Sequence, residues 1–74
     1  MLLDHIAIIV SSEAGVEFYK ELGFEVKSIE DRGYYKLVYL SDGMTTLEVY
    51  IDPKHPKRIT SPESLGLRHL GFMV

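Results

Sequence analysis

The sequence of 74 residues contains no cysteine and no tryptophan. Without cysteine the chain can form no disulfide framework and offers no thiolate nucleophile, so any bound metal ion must be held by His, Asp or Glu. Positive charge is also scarce. The formal net charge of −3 gives no electrostatic reason to bind nucleic acid or an anionic membrane surface, and we expect neither as a partner.

Long hydrophobic runs are absent as well. The apolar run at 6–10 is far too short to cross a bilayer. The acidic Asp4 and the lack of a basic stretch near the N-terminus argue against a signal peptide, so a cytoplasmic protein is expected. A hydrophobic fraction of 46% and a charged fraction of 26% are typical of a small globular domain.

Apolar periodicity predicts an α+β fold with the element order β-α-β-β-β. The predicted strands are "HIAIIV", "FEVKSIEDR", "YYKLVYL" and "TTLEVYI", and the predicted helix lies in "SSEAGVEFYKELG", ending at Gly23. Together they form one βαβββ module over 1–52. The Pro-, Lys- and Ser-containing stretch 53–66 predicts a connecting loop.

The end of the chain repeats its beginning. "LRHLGFMV" at 67–74 aligns with the opening "LDHIAIIV", and the alignment superimposes His69 on His5. We therefore predict that 67–74 form the first strand of a second, incomplete module. Such a strand without a neighbour would be a hydrophobic edge, which favours association with another chain or module.

Three metal-ligand residue types lie within these predicted strands. Because side chains alternate along a strand, His5 and Glu48 should project from the face opposite the aliphatic residues, and His69 should repeat the placement of His5. A His-carboxylate-His set suits Zn, Ni, Co, Mn or Fe(II). Taken singly, a strand histidine is more often a structural hydrogen-bonding residue and a strand glutamate a solvated one, so spacing alone leaves both interpretations open.

The stretches "LDHIAIIV", "EFYKELGFEV", "LEVY" and "GLRHLGFMV" together resemble the glyoxalase, or vicinal oxygen chelate, superfamily. They are most similar to its small bacterial lactoylglutathione-lyase-like members. The resemblance implies two βαβββ modules that form a cup around one divalent metal ion, each supplying a His and a Glu. It assigns metal ligation to His5, Glu48 and His69. The counterpart of Glu48 in the second module would lie beyond Val74.

The resemblance further implies a metal-dependent lyase or isomerase that acts on a small carbonyl substrate, the adduct of a 2-oxoaldehyde with a thiol. Glu48 would then also be catalytic, moving a proton between adjacent carbons. With one module and one further strand, we expect the site to be incomplete in a lone chain. A homodimer or a separate second module would complete it, and whether this chain is itself an enzyme stays open.

Other functions also fit this frame. They are a non-catalytic module that sequesters a small molecule such as a drug, an inactive half-domain, and an Fe(II) dioxygenase of the extradiol type. The basic loop at 54–58, with His55, is predicted to be a solvated linker. Tyr50 is a candidate pocket wall, and Arg68 is expected either to face substrate or to pair with Asp4.

Overall fold

A computed structural model describes residues 1–73 and confirms the predicted element order. The elements are β1 (His5–Val10), α1 (Glu13–Glu21), β2 (Glu25–Asp31), β3 (Lys36–Ser41) and β4 (Thr46–Ile51). The four strands form one sheet in the order β1-β4-β3-β2. β1 pairs with β4 in parallel, whereas β4 with β3 and β3 with β2 are antiparallel. The class is α+β, as the sequence predicts.

The hydrophobic core lies on one face of this sheet, under the helix. It is built around Leu40, Leu47 and Val49, which are fully buried, with Val16 from α1 and Phe24 packed onto them. Ile6, Ile8 and Val10 of β1 also contact this cluster. The alternating aliphatic residues therefore point to the helix, as expected, and the alternate residues of β1 and β4 are left on the helix-free face.

Local sequence explains where the helix begins and ends. Ser12 occupies the N-cap position with extended backbone angles, although its side chain makes no capping hydrogen bond. Glu13 in the first turn and Lys20 in the last turn both match the helix dipole. Gly23 follows with a φ of 102°, in the left-handed region that glycine adopts without strain, and its N–H donates to the Lys20 carbonyl.

The hairpin between β3 and β4 is closed by Asp42 and Gly43. The Asp42 carboxylate accepts hydrogen bonds from the N–H groups of Met44 and Thr45, at 2.9 and 2.8 Å. These bonds, with Thr45 the larger cause, lower the pKa of Asp42 below its ordinary value. Gly43 has a φ of 94°, which the turn requires. This turn sets the register that places Glu48 opposite Tyr39.

The C-terminal segment differs from its predicted structure. Residues 67–73 form no strand, and Val74 lies outside the described residues. A strand requires a neighbouring backbone to pair with, and within the described chain this segment pairs with none. Phe72 instead packs edge-on against Tyr19 and Phe24, with ring centroids 6.2 and 5.9 Å apart. That these residues begin a second module stays a prediction.

Gly15 lies where the start of the helix passes close to the end of β1. A Cβ atom placed on Gly15 would lie 2.7 Å from the Cβ of Val10, well inside van der Waals contact. The missing side chain of Gly15 therefore makes room for Val10. It costs about 1 kcal/mol of helix propensity relative to alanine.

We predict that Gly15→Ala lowers the free energy of unfolding by about 1–2 kcal/mol, because the steric cost of overpacking exceeds the gain in helix propensity. Urea unfolding followed by circular dichroism measures the change. Gly71→Ala is the matched control, since a Cβ there meets no atom within 4 Å. It should leave stability within about 0.5 kcal/mol of the parent chain. A Gly15→Ala chain at least as stable as the parent would contradict the close contact.

Candidate metal centre

His5 and Glu48 come together on the helix-free face of the sheet. Nε2 of His5 lies 3.0 Å from Oε2 of Glu48, although the two residues are far apart in sequence. The parallel register brings them together: Ala7 of β1 is directly opposite Glu48 of β4, and His5 lies two residues earlier on the same face. About half of the His5 side chain is exposed, and Glu48 is largely covered.

The second ring nitrogen of His5 is also engaged. Nδ1 lies 2.8 Å from Oδ2 of Asp4, so the imidazole stands between two carboxylates. The hydrogen bond to Asp4 raises the pKa of His5 above its ordinary value of 6.5, and the negative charge of Glu48 raises it further. Both carboxylates therefore favour the protonated imidazole over the neutral one.

The geometry of this pair fits a divalent metal ion. Two ligand atoms that each lie about 2.1 Å from a metal, at an angle of about 90–110°, are about 3.0–3.4 Å apart. The separation of 3.0 Å between Nε2 and Oε2 falls within that range. The bond from Nδ1 to Asp4 also matches the carboxylate that commonly orients a metal-binding histidine. One nitrogen and one carboxylate oxygen are therefore available here, with an orienting partner.

His69 does not join this pair. Among residues 1–73, no three His, Asp or Glu side chains are grouped closely enough to hold a metal ion. His69 is exposed and lines a separate groove along β1 and the C-terminal segment. Because His69 lies in the segment that forms no strand, it has no register relative to β1. Its role as a ligand stays a prediction, as do those of His5 and Glu48.

Arg68 pairs with Glu63 and not with Asp4. Its Nε lies 3.6 Å from Oε1 of Glu63, and Asp4 contacts His5 instead. The expected Asp4–Arg68 pair is therefore not formed. Sequence reasoning missed the role of Asp4 in orienting His5, although a carboxylate directly before a strand histidine was a usable signal.

Tyr39 is a further neighbour that the sequence did not reveal. Tyr39 lies in β3, opposite Glu48 in the β3–β4 register. Burial raises the pKa of its hydroxyl, and the charges of Glu30 and Glu48 raise it further. The phenol therefore stays protonated beside the Glu48 carboxylate. Only the pairing register reveals this contact, because periodicity shows the face of a strand and not its neighbour.

No protein-family model matches the chain. Two curated relatives do match. The uncharacterized protein YwkD of Bacillus subtilis (strain 168) is 44% identical, over 97% of this chain and 60% of its own length. The uncharacterized protein YaeR of Escherichia coli (strain K12) is 39% identical, over 95% of this chain and 58% of its own length. The chain thus spans about three fifths of the length of these relatives.

Solved structures give the family of the fold. The crystal structure of the glyoxalase family protein from Enterococcus faecalis matches with a TM-score of 0.83 and 42% identity, over 92% of this chain and 57% of that one. The crystal structure of SMU.1112c matches with a TM-score of 0.82 and 34% identity, over 97% and 63%. The resemblance carried by the sequence motifs is confirmed: the chain has the βαβββ fold of a glyoxalase-like module and is similar over 92% of its length to a glyoxalase family protein.

The helix content of the described residues bears on membrane spanning. No helix among residues 1–73 is long and apolar enough to cross a membrane. The one helix described there, α1, has nine residues.

We predict that His5 in the metal-free chain titrates above pH 6.5, which NMR of its ring protons across a pH series measures. Asp4→Asn should lower this pKa most and Glu48→Gln less, in the order of the two causes. The raised pKa stabilises the folded chain below the unfolded pKa, and that contribution is lost as pH rises through the folded value.

Glu63→Gln is the control for this titration, because Glu63 pairs with Arg58 and Arg68 and not with His5. It should leave the His5 curve unchanged. A parent-chain pKa at or below 6.5 would show that the two carboxylates do not hold the imidazole as described.

Proposed function

We propose that the chain supplies half of a divalent metal centre of the glyoxalase type, in a metal-dependent lyase or isomerase that acts on a small carbonyl substrate. The observation that carries the proposal is the His5–Glu48 pair, 3.0 Å apart, with Asp4 behind the imidazole. The similarity to a glyoxalase family protein supports the same class. The expected substrate is the adduct of a 2-oxoaldehyde with a thiol, and the expected location is the cytoplasm.

His5 and Glu48 would hold the metal ion through Nε2 and Oε2. In the neutral imidazole the Asp4 carboxylate accepts a hydrogen bond from Nδ1–H, which leaves the lone pair on Nε2 for a metal ion. A protonated imidazole cannot bind a metal ion, so metal affinity falls as pH drops through the raised pKa of His5. Zn, Ni, Co, Mn and Fe(II) all suit this donor set.

Once bound, such an ion supplies Lewis-acid polarisation of a substrate carbonyl. The chain's own contribution to chemistry is the Glu48 carboxylate. It can accept a proton from the carbon beside a carbonyl and return it to the adjacent carbon. Its side chain is only 19% exposed, which limits the access of bulk water to this carboxylate.

Two ligands from one module leave the centre open, so a second module must contribute the rest. In a two-fold symmetric homodimer, each copy would present His5 and Glu48 to one shared site. Alternatively, a different module would supply a second His and Glu, with His69 as the expected histidine. Both arrangements use the helix-free face, which in residues 1–73 is covered by no helix.

The sequestering and dioxygenase alternatives are less well supported. A pocket that only sequesters a ligand has no use for a His–Glu pair with an orienting carboxylate. In the dioxygenase group, the resemblance places the single carboxylate late in the domain, whereas this chain has Glu48 in its first module. These are reasons for preferring the lyase or isomerase proposal.

We predict that the chain binds Co²⁺, and that His5→Ala and Glu48→Gln each weaken binding at least tenfold, because each removes one of two protein ligands. Asp4→Ala should weaken it by about 10–100-fold through loss of the orienting hydrogen bond. Isothermal titration and the visible spectrum of bound Co²⁺ measure these changes.

Glu63→Gln again serves as the control and should bind Co²⁺ like the parent chain. Sedimentation of the same samples then distinguishes the two ways of completing the site. A ratio of one metal ion per two chains supports the symmetric dimer if His5→Ala loses both the metal ion and the dimer. That result would justify an isomerase assay on the methylglyoxal–glutathione adduct. Unchanged Co²⁺ binding in both His5→Ala and Glu48→Gln would overturn the proposal.

A further inference from the structure

A second group of polar and aromatic side chains lies on the same face of the sheet, beyond the His5–Glu48 pair. It surrounds a cleft of about 420 Å³, within the range of small-molecule sites. Ala7 and Ile9 of β1 form an apolar floor. The walls are Tyr34, Tyr35, Tyr50, Asp52 and His55. The sequence predicts that His55 is a solvated linker residue, and this does not explain why it lines a cleft.

The strongest feature of the cleft is the pair Asp52–His55. Asp52 is 6% exposed, and its N–H donates to the Val10 carbonyl, which fixes it at the end of the β1–β4 pair. Its Oδ1 accepts the Lys54 N–H at 2.9 Å, an ordinary turn contact. Its Oδ2 lies 3.0 Å from Nδ1 of His55. The turn accounts for the contact of Oδ1 with Lys54. The contact of Oδ2 with His55 holds the imidazole at the edge of the cleft.

This contact determines which ring nitrogen of His55 is available. Because Nδ1 lies beside the Asp52 carboxylate, Nε2 is the ring nitrogen that is left for a ligand. The ring is half exposed and lines the cleft, so Nε2 is free to accept a hydrogen bond from a bound molecule. Pro53 and Pro56, on either side, restrict the backbone that carries the ring.

The tyrosines favour a flat ligand. The rings of Tyr35 and Tyr50 lie 5.8 Å apart with planes inclined by 31°, and Tyr34 meets Tyr35 edge-on at 4.9 Å. Aromatic surfaces arranged in this way accept a further ring by offset or edge contact. Tyr50 is only partly buried and Tyr34 is largely exposed, so both have surface to cover.

The charges that line the cleft indicate which polar group a bound ligand can carry. The residues that line the cleft include Asp52 but neither Lys nor Arg. An anionic group inside the cleft would therefore lie against the Asp52 carboxylate, whereas the cations Lys57, Arg58 and Arg68 line the adjoining groove. A neutral hydroxyl group meets no such penalty and can donate its proton to Nε2 of His55.

We propose that this cleft, which we call the tyrosine cleft, binds a neutral planar aromatic molecule carrying a hydroxyl group, with the ring against Tyr35 and Tyr50 and the hydroxyl on His55. The site lies about 7 Å along β4 from Glu48, because Tyr50 is two residues further on the same face. Binding needs no metal ion, so the proposal stands or fails independently of the metal centre.

The probe is 4-methylphenol, compared with 4-methylanisole, in which the same ring has its hydroxyl capped. Both are titrated into the ¹⁵N-labelled chain with a chelator present, and backbone shifts are followed by NMR. We expect 4-methylphenol to bind about fivefold to tenfold more tightly, the effect of one hydrogen bond. The largest shifts should fall at Ala7, Ile9, Tyr50 and His55.

Variants separate the two contributions. His55→Ala should abolish the preference for the phenol while both compounds still bind, and Tyr50→Ala should weaken both by about tenfold through loss of ring contact. Lys54→Ala is the matched control in the same loop, because the Lys54 side chain does not line the cleft, and it should change neither affinity. Absence of shifts at the cleft, or a phenol preference that survives in His55→Ala, would overturn the proposal.

Discussion

The parallel pairing of β1 with β4 is the constraint on which the rest of the structure depends. It joins the first and last strands of the module at the edge of the sheet, with Ala7 directly opposite Glu48. Parallel strands need a long crossover, and here that crossover is α1, β2 and β3 together. A shift of one residue in this register would exchange the two faces. His5 would then turn towards the core and lose contact with Glu48.

The two faces of the sheet carry different tasks. One face carries aliphatic residues that pack under α1, where Gly15 leaves no room for a side chain beside Val10. The other face carries side chains able to act on a ligand, and the described chain leaves them partly exposed. The hydrophobic core therefore supports the site from the opposite face of the sheet.

Charges are arranged differently at the two polar groups of this face. At the metal centre two carboxylates surround one imidazole, and together they raise the pKa of His5. At the tyrosine cleft a single buried carboxylate, Asp52, contacts one imidazole, and no second acid approaches its free nitrogen among the lining residues. The first arrangement is suited to exchanging a proton for a metal ion. The second is suited to accepting a hydrogen bond from a neutral ligand.

The sequence by itself determined the module and its two faces, because apolar periodicity and glycine positions are local properties of the chain. It was enough to place His5 and Glu48 on one face, and the motifs around them pointed to the glyoxalase family. Only the tertiary structure decided which side chains are neighbours: Asp4 with His5, Tyr39 beside Glu48, and His55 on Asp52. It also left 67–73 without the strand that their pattern predicts. Periodicity reports the direction of a side chain, whereas contacts between strands depend on register, and a strand forms only where another backbone is present to pair with it.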